Sequence, residues 1–305
     1  MNGDGSQEYP WEVTNLTDLR NLSGIAQRGD YAKLMSDINC NEQCPGGWTT
    51  VTLNQHLDLN GHNIIAPLLL NGNVLFKATS GLGDIYYTIS NGGIINIFEE
   101  FQSQQGLFQT YIYNSSTYSN VRFKLYNLGM SMFIRNNVIL SRPNSGNAQD
   151  GRVCAIDKCT IKIMGNLNNC QHPLFNFVPL TNSRIICDYI ANGSHMLCTS
   201  GTSRNDVQNC RFEGKVTGTF NLNDSNSSGE SGMVNNGVVT DTIILTESTV
   251  NGNYHMASYS GKSIISSRCN SISPNPNQSY IIRMNDDDIK SYSAVNNAGF
   301  VTIEV

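Results

Sequence analysis

Cys159-Thr160-Ile161-Lys162-Ile163-Met164-Gly165, Cys187-Asp188-Tyr189-Ile190-Ala191-Asn192-Gly193 and Cys210-Arg211-Phe212-Glu213-Gly214 are three versions of one short unit. Each opens on a cysteine, continues through apolar residues and stops at a glycine. The closing glycines lie 28 residues apart (Gly165 to Gly193) and then 21 (Gly193 to Gly214). An uneven period of that size fits one coil of a strand solenoid whose corner loops differ in length.

Runs of the same kind fill the flanking sequence. Ile85 to Ile89, Ile94 to Phe98, Val121 to Leu125, Leu174 to Val178, Thr242 to Leu245, Tyr280 to Met284 and Phe300 to Val305 are short, rich in β-formers and separated by turn residues. Helices of 10–15 residues never alternate with them, which excludes a doubly wound α/β fold. An antiparallel sandwich would need matched strands joined by Asn-Gly or Asp-Gly hairpins. Here the runs stop on single Gly or Asn residues, so stacked coils are the better reading. Coils of ~22–25 residues, about a dozen of them at ~4.8 Å each, would make a rod ~55–60 Å long.

Composition agrees. Of 305 residues, 39% are hydrophobic, enough for a core, but only 14% are charged, against roughly 25% in an ordinary soluble chain. Polarity comes instead from Asn, Ser, Thr and Gly. The 40 asparagines supply a residue type that tolerates left-handed backbone and therefore favours tight corners. A net charge of −5 with no basic run argues against nucleic acid as a partner. No apolar stretch approaches the ~20 residues of a membrane span. Met1-Asn2-Gly3-Asp4-Gly5-Ser6 has none of the regions of a secretory leader, so the expectation is a cytoplasmic product or one whose leader was removed before this numbering, with Met1 favouring the first. Nine cysteines leave at least one unpaired in a monomer, and no CxxC occurs. They read as small core hydrophobes, with no metal spacing.

Residues 1–12 read as a flexible arm. Leu16, Leu19, Leu22, Ile25 and Ala26 then recur at helical spacing behind Thr14-Asn15, predicting a capping helix at about 15–27. After Gly29 the helical period is lost. Tyr31-Ala32-Lys33-Leu34-Met35-Ser36-Asp37-Ile38 alternates, a Cys/Pro/Gly turn follows, and Leu57-Asp58-Leu59-Asn60-Gly61-His62-Asn63-Ile64 turns a corner at Asn60-Gly61. These two stretches resemble the first coils of pectate-lyase-like right-handed β-helix proteins. The resemblance implies an all-β fold, a right-handed parallel β-helix over residues 13–305 as one domain. It also implies the kinds of protein that use it: bacteriophage tailspikes and other virion proteins, polysaccharide lyases and bacterial adhesins. Fold alone does not choose among them.

Enzymes of this kind hold Ca²⁺ with clustered carboxylates or flank a sugar bond with two acids. Asp286, Asp287 and Asp288 form the one dense carboxylate run, with Arg283 before it and Lys290 after. They are the candidate carboxylate site, although adjacent loop carboxylates ordinarily just face water. Glu99-Glu100 reads as a solvated corner, His62 as a turn residue, and His172, His195 and His255 are scattered. No catalytic residue, metal ligand or cofactor is assigned. Tyr111, Tyr113, Tyr118 and Tyr126 either stack on sugars or fill the core. The polar loops at 141–147, 223–229 and 271–277 are inert corners or a binding rim. Trp11 in the arm and Phe300, Val301 and Ile303 in the last strand are the candidate attachment residues. The expectation is a non-enzymatic virion component made in the host cytoplasm, a tail or head appendage or decoration protein. Its partners would be other virion proteins, host-surface polysaccharide and, by analogy with β-helix spikes, two further copies in a homotrimer. A polysaccharide depolymerase and a surface adhesin are the alternatives.

Overall fold

Alternation along each strand decides which side chains leave water, and parallel pairing then stacks like on like. The computed structural model describes residues 1–70 continuously, then 73–77, 86–99, 107–109, 111–114, 117–120, 122–134, 154–168, 175–176, 180–192, 198–199, 206–208 and 210–221, and strand segments between 234 and 284. Among the described residues the protein is mostly β, with two short helices and a large sheet of nineteen strands. Its strands run parallel, each pairing with a segment further along the chain. Trp11, Ala32, Leu57, Ile89, Leu125, Ile156, Leu180, Val207, Val239 and Tyr259 fall in one register row. A second row reads Ile38, Ile64, Ile94, Met130, Ile161, Ile185, Phe212, Ile244 and Ile265. A smaller parallel sheet aligns Val51, Phe76 and Phe108. From Ala32 to Ile185, every member of these rows is buried.

The inner rows meet in an aromatic chain. Trp48 packs edge-on against Phe76 at 6.0 Å, Phe76 stacks on Phe108 at 6.0 Å, and Phe108 lies 5.6 Å from Phe123. The Trp48 indole N–H donates to the Leu75 carbonyl at 2.9 Å, so its one polar atom is satisfied inside the core. Burying each such ring is worth ~1.5–3 kcal/mol. A single backbone hydrogen bond nets about 1 kcal/mol, so ring burial stabilises more per residue.

Corners are made by left-handed residues. Asn60, Asn91, Asn96, Asn127 and Asn182 have positive φ, as do Ala66 and Lys158. Five of these seven are asparagine, the residue least strained in this conformation after glycine. Because the bends occur without a break in pairing, several strands are long: Tyr86–Glu99 bends at Asn91 and Asn96, and Arg122–Ile134 at Asn127. Of the short runs expected separately at Ile85 to Ile89 and Ile94 to Phe98, all but Ile85, which lies outside the described residues, therefore belong to one strand around a corner. Steps along the first row vary from 20 residues (Val239 to Tyr259) to 36 (Ile89 to Leu125). The steps thus run to both sides of the expected 22–25, mostly above it. An antiparallel hairpin, Tyr111–Asn114 with Thr117–Asn120, was not expected.

At the N-terminal end the helix Leu16–Ile25 sits where expected, within two residues at each boundary. The Asn15 side chain accepts the Asp18 N–H at 2.9 Å, and Leu16, Leu19 and Leu22 are buried. Three buried leucines at ~1.5–3 kcal/mol each outweigh a cap worth about 1 kcal/mol, so packing holds the helix down. The expected flexible arm is instead tied to the body. Trp11–Val13 pairs in parallel with Ala32 to Leu34, Glu12 N–H donates to the Asn2 carbonyl at 2.8 Å, and Tyr31 N–H donates to the Gly5 carbonyl at 2.8 Å. Backbone groups at a sheet edge seek partners, and residues 2–12 supply them. Tyr31 to Ile38 is likewise two strands, Tyr31–Leu34 and Ile38–Asn39, and the expected Cys/Pro/Gly turn holds a helical turn, Cys40–Gln43.

Two glycines give opposite expectations. A Cβ at Gly92 would collide with the His62 carbonyl oxygen and Leu59 Cβ, whereas one at Gly24, in the exposed face of the helix, meets nothing within 4 Å. Gly92→Ala should cost ~1–3 kcal/mol from overpacking, and Gly24→Ala should gain ~0.5–1 kcal/mol. Urea melts of the two variants check both signs.

Candidate functional site

Inner rows imply outer ones. One residue beyond the first inner row lie Glu12, Lys33, Asp58, Ser90, Tyr126, Asp157, Thr181, Gln208, Thr240 and Ser260, again in register. Tyr126 is the one aromatic residue among them. Lys124, two residues earlier on the same strand, places its Nζ 5.1 Å from the centre of the Tyr126 ring. Lys158, at the corner one level on, places its Nζ 5.3 Å from that centre and donates to the Tyr126 hydroxyl at 3.2 Å. Tyr126, half-exposed, is thus contacted by two ammonium groups, one of them bonded to its hydroxyl. The hydrogen bond to the Tyr126 hydroxyl is the main cause that raises the Lys158 ammonium above the ordinary lysine range.

Amides and carboxylates line both sides of this ring. The Asn127 Nδ2 donates to Asn91 Oδ1 at 3.0 Å, and the Asn91 Nδ2 donates to Asp58 Oδ1 at 3.2 Å. On the other side, Thr181 Oγ1 and Asn182 Nδ2 each donate to Asp157 Oδ1 at 2.8 Å. Lys158 stands in left-handed backbone where the neighbouring levels use asparagine. A lysine there carries a steric cost that Asn or Gly would reduce; its contribution lies in the side chain. The group offers an aromatic face beside two ammonium groups and amides that already hydrogen-bond to one another.

Nearer the N-terminus the outer surface holds a second group. Tyr31 stacks on His56 at 4.8 Å, and His56 Nδ1 accepts the Thr88 N–H at 3.2 Å. Burial lowers the His56 pKa. His62 does lie at a turn, its Nδ1 3.3 Å from Asp37 Oδ1, which also accepts the Asn63 N–H at 2.9 Å. Trp11, half-buried, donates from its indole to Asp30 Oδ2 at 3.2 Å.

Asp286, Asp287, Asp288, Phe300, Val301 and Ile303 lie outside the described residues, as do His172, His195, His255, Glu100 and the three polar loops. Backbone, and no side chain, is described for Tyr111, Tyr113 and Tyr118. Among the described residues no group of three or more His, Cys, Asp or Glu is placed to hold a metal ion, and no helix is long and apolar enough to cross a membrane. Asp157 and Asp188, two other strand carboxylates, do not pair with each other: they face Thr181 and Met164 in register. Sequence reasoning singled out Tyr126 but missed Lys124 and Lys158. The Lys-x-Tyr spacing was visible, while the 32-residue separation of Tyr126 from Lys158 follows only from register.

His56 gives a pH expectation. Its folded pKa lies below the 6.5 of a free histidine, so the unfolded chain binds more protons once pH falls below that value. Stability should therefore decline as pH drops through ~6.5 and level off below the folded pKa. His56→Phe should remove this component. Urea midpoints from pH 8 to pH 5 check it, and equal slopes in both proteins would contradict it.

No protein-family model matches the chain, and no curated protein matches it. Among solved structures, one described as "a putative immunoglobulin A1 protease from Bacteroides ovatus" aligns with 90% of this chain and 79% of its own, at 12% identity and a TM-score of 0.44. That level of likeness carries no argument about activity.

Proposed function

We propose that the parallel rows close into a right-handed β-helix, and that the protein is a non-enzymatic virion component. In this reading it is a bacteriophage tail or head appendage that offers its polar outer rows to host-surface polysaccharide. The observation that carries the binding part is Tyr126 contacted by Lys124 and Lys158, one level from the Asp157–Thr181–Asn182 group. A side chain already held by neighbours loses little freedom when a ligand arrives, so weak sugar contacts are not consumed in ordering the protein. The appendage part is supported by the resemblance of Tyr31 to Cys40 and Leu57 to Ile64 to pectate-lyase-like β-helix proteins, a kind that includes virion appendages, and by the ladder itself. Continuous pairing from Trp11 to the strand Ile281–Met284 suits a stiff display element.

Peptide mass spectrometry on purified particles, beside particle-free lysate, tests the location. The expected result is this chain in particles at a fixed ratio; recovery only as free protein contradicts it. With purified protein and host-surface polysaccharide, Tyr126→Ala should weaken binding about tenfold, equivalent to ~1.4 kcal/mol. Release of shortened sugar chains by the wild-type protein would replace this reading with that of a depolymerase.

A further inference from the structure

Cys40 and Cys44 bracket the helical turn Cys40–Gln43, which the Cys44 N–H closes by donating to the Cys40 carbonyl at 2.9 Å. Cys44 caps the turn in non-helical backbone (φ −147°, ψ 61°), so the helix sets its Cα position relative to Cys40 and its own φ sets where its Cβ points. At ~1.5 Å of rise per residue their Cα atoms lie ~6 Å apart, within the ~4.4–6.8 Å that a disulfide spans. The Cys44 sulfur is near enough to help raise the Cys40 thiol, and both are free thiols. Cys40 is buried in the core, and Cys44, half-buried, packs against it from the solvent side.

This turn is a strut between the N-terminal helix and the stacked strands. Gln43 Oε1 accepts the N–H of Leu16, the first residue of the helix, at 2.7 Å. Asn39 caps the turn, accepting the Asn41 N–H at 3.1 Å and donating to Glu42 Oε1 at 2.8 Å. The strand Ile38–Asn39 just before it pairs with Ile64 and Ile65. Whatever stiffens the turn therefore stiffens the lid.

We propose that Cys40 and Cys44 form a redox lock on the N-terminal lid, closed by exchange with a low-molecular-weight disulfide such as oxidised glutathione. The Cys44 thiolate attacks one sulfur of that disulfide; its S–S bond breaks, and the first glutathione leaves with the electron pair and takes up a proton. Cys40 then gives up its proton and attacks the Cys44 sulfur, expelling the second glutathione. Two protein thiols are oxidised to one disulfide, and one glutathione disulfide is reduced to two thiols. Burial and then the Cys44 sulfur push the Cys40 thiol up, and the Arg20 guanidinium pulls it down. The mixed disulfide removes the Cys44 charge, which leaves burial as the main brake and makes the second step the slower one. Cys159, pushed up to about 12 by burial, donates its Sγ proton to the Asp157 carbonyl at 3.3 Å and stays a thiol.

The sequence makes the test direct, because no Lys or Arg lies between Lys33 and Lys77, and Cys40 and Cys44 are the only cysteines in that tryptic peptide. The full-length folded chain is equilibrated with oxidised glutathione, quenched in acid, alkylated, digested and weighed. The proposal expects this peptide two hydrogens lighter, without alkylation until reduced. It further expects hydrogen exchange of the Leu16–Ile25 amides to slow about tenfold on oxidation, a change confined to the lid, and absent in Cys44→Ser. A fully alkylated peptide, a persistent glutathione adduct on Cys44, or a disulfide that leaves lid exchange unchanged would each overturn it.

Discussion

The Asp58–Asn91–Asn127 hydrogen-bond chain, with each asparagine in left-handed backbone, holds the bend where one strand row gives way to the next. If the chain did not turn at the same place on successive levels, the inner rows would drift out of register. A one-residue slip would carry Leu57, Ile89 and Leu125 to the solvent face and bring Asp58, Ser90 and Tyr126 inside. Burying an unpaired carboxylate costs several kcal/mol, more than any one corner hydrogen bond contributes. Corner and core thus enforce each other: the asparagines fix the register, and the cost of the alternative keeps it.

The same constraint builds the outer surface. Tyr126 and Lys158 are far apart in sequence, yet the corner at Asn127 and Lys158 sets them side by side. Polar groups there satisfy each other, as in the Asp157–Thr181–Asn182 set, and this makes a low-charge surface stable without dense ion pairs. Asparagine accordingly serves twice, in the backbone as a corner and in the side chain as a rung of hydrogen bonds. The abundance of this residue has a structural reason.

Much of this was legible in the residues. Alternation in Tyr31 to Leu34 and Thr160 to Met164 marked strands, Asn60-Gly61 marked a corner, and Leu16, Leu19 and Leu22 marked the buried face of the lid helix. Register was not legible, because loops between levels vary in length and a parallel partner 20–36 residues away leaves no local trace. For that reason the bends inside Tyr86–Glu99 read as gaps between strands. The turn at Cys40 was obscured by Pro45-Gly46-Gly47 just beyond it, although Asn39 with Glu42 three residues later carried a capping signal. Residues 2–12 looked free because their glycines suit loops. Their anchoring depends on exposed backbone at the edge of the next strand, which the sequence of the segment itself does not contain.

The ordered stacking of parallel levels is the claim on which everything else stands, and spin-label distances measure it directly. Labels paired with one at Lys33 and placed at Asp157, Gln208 and Thr240 sit four, six and seven levels along the same outer row. At ~4.8 Å per level the backbone separations are ~19, ~29 and ~34 Å. The account predicts distances that increase in that order by about these amounts. Distances that fail to grow along the row, as in a chain folded back on itself in antiparallel pairs, would contradict it.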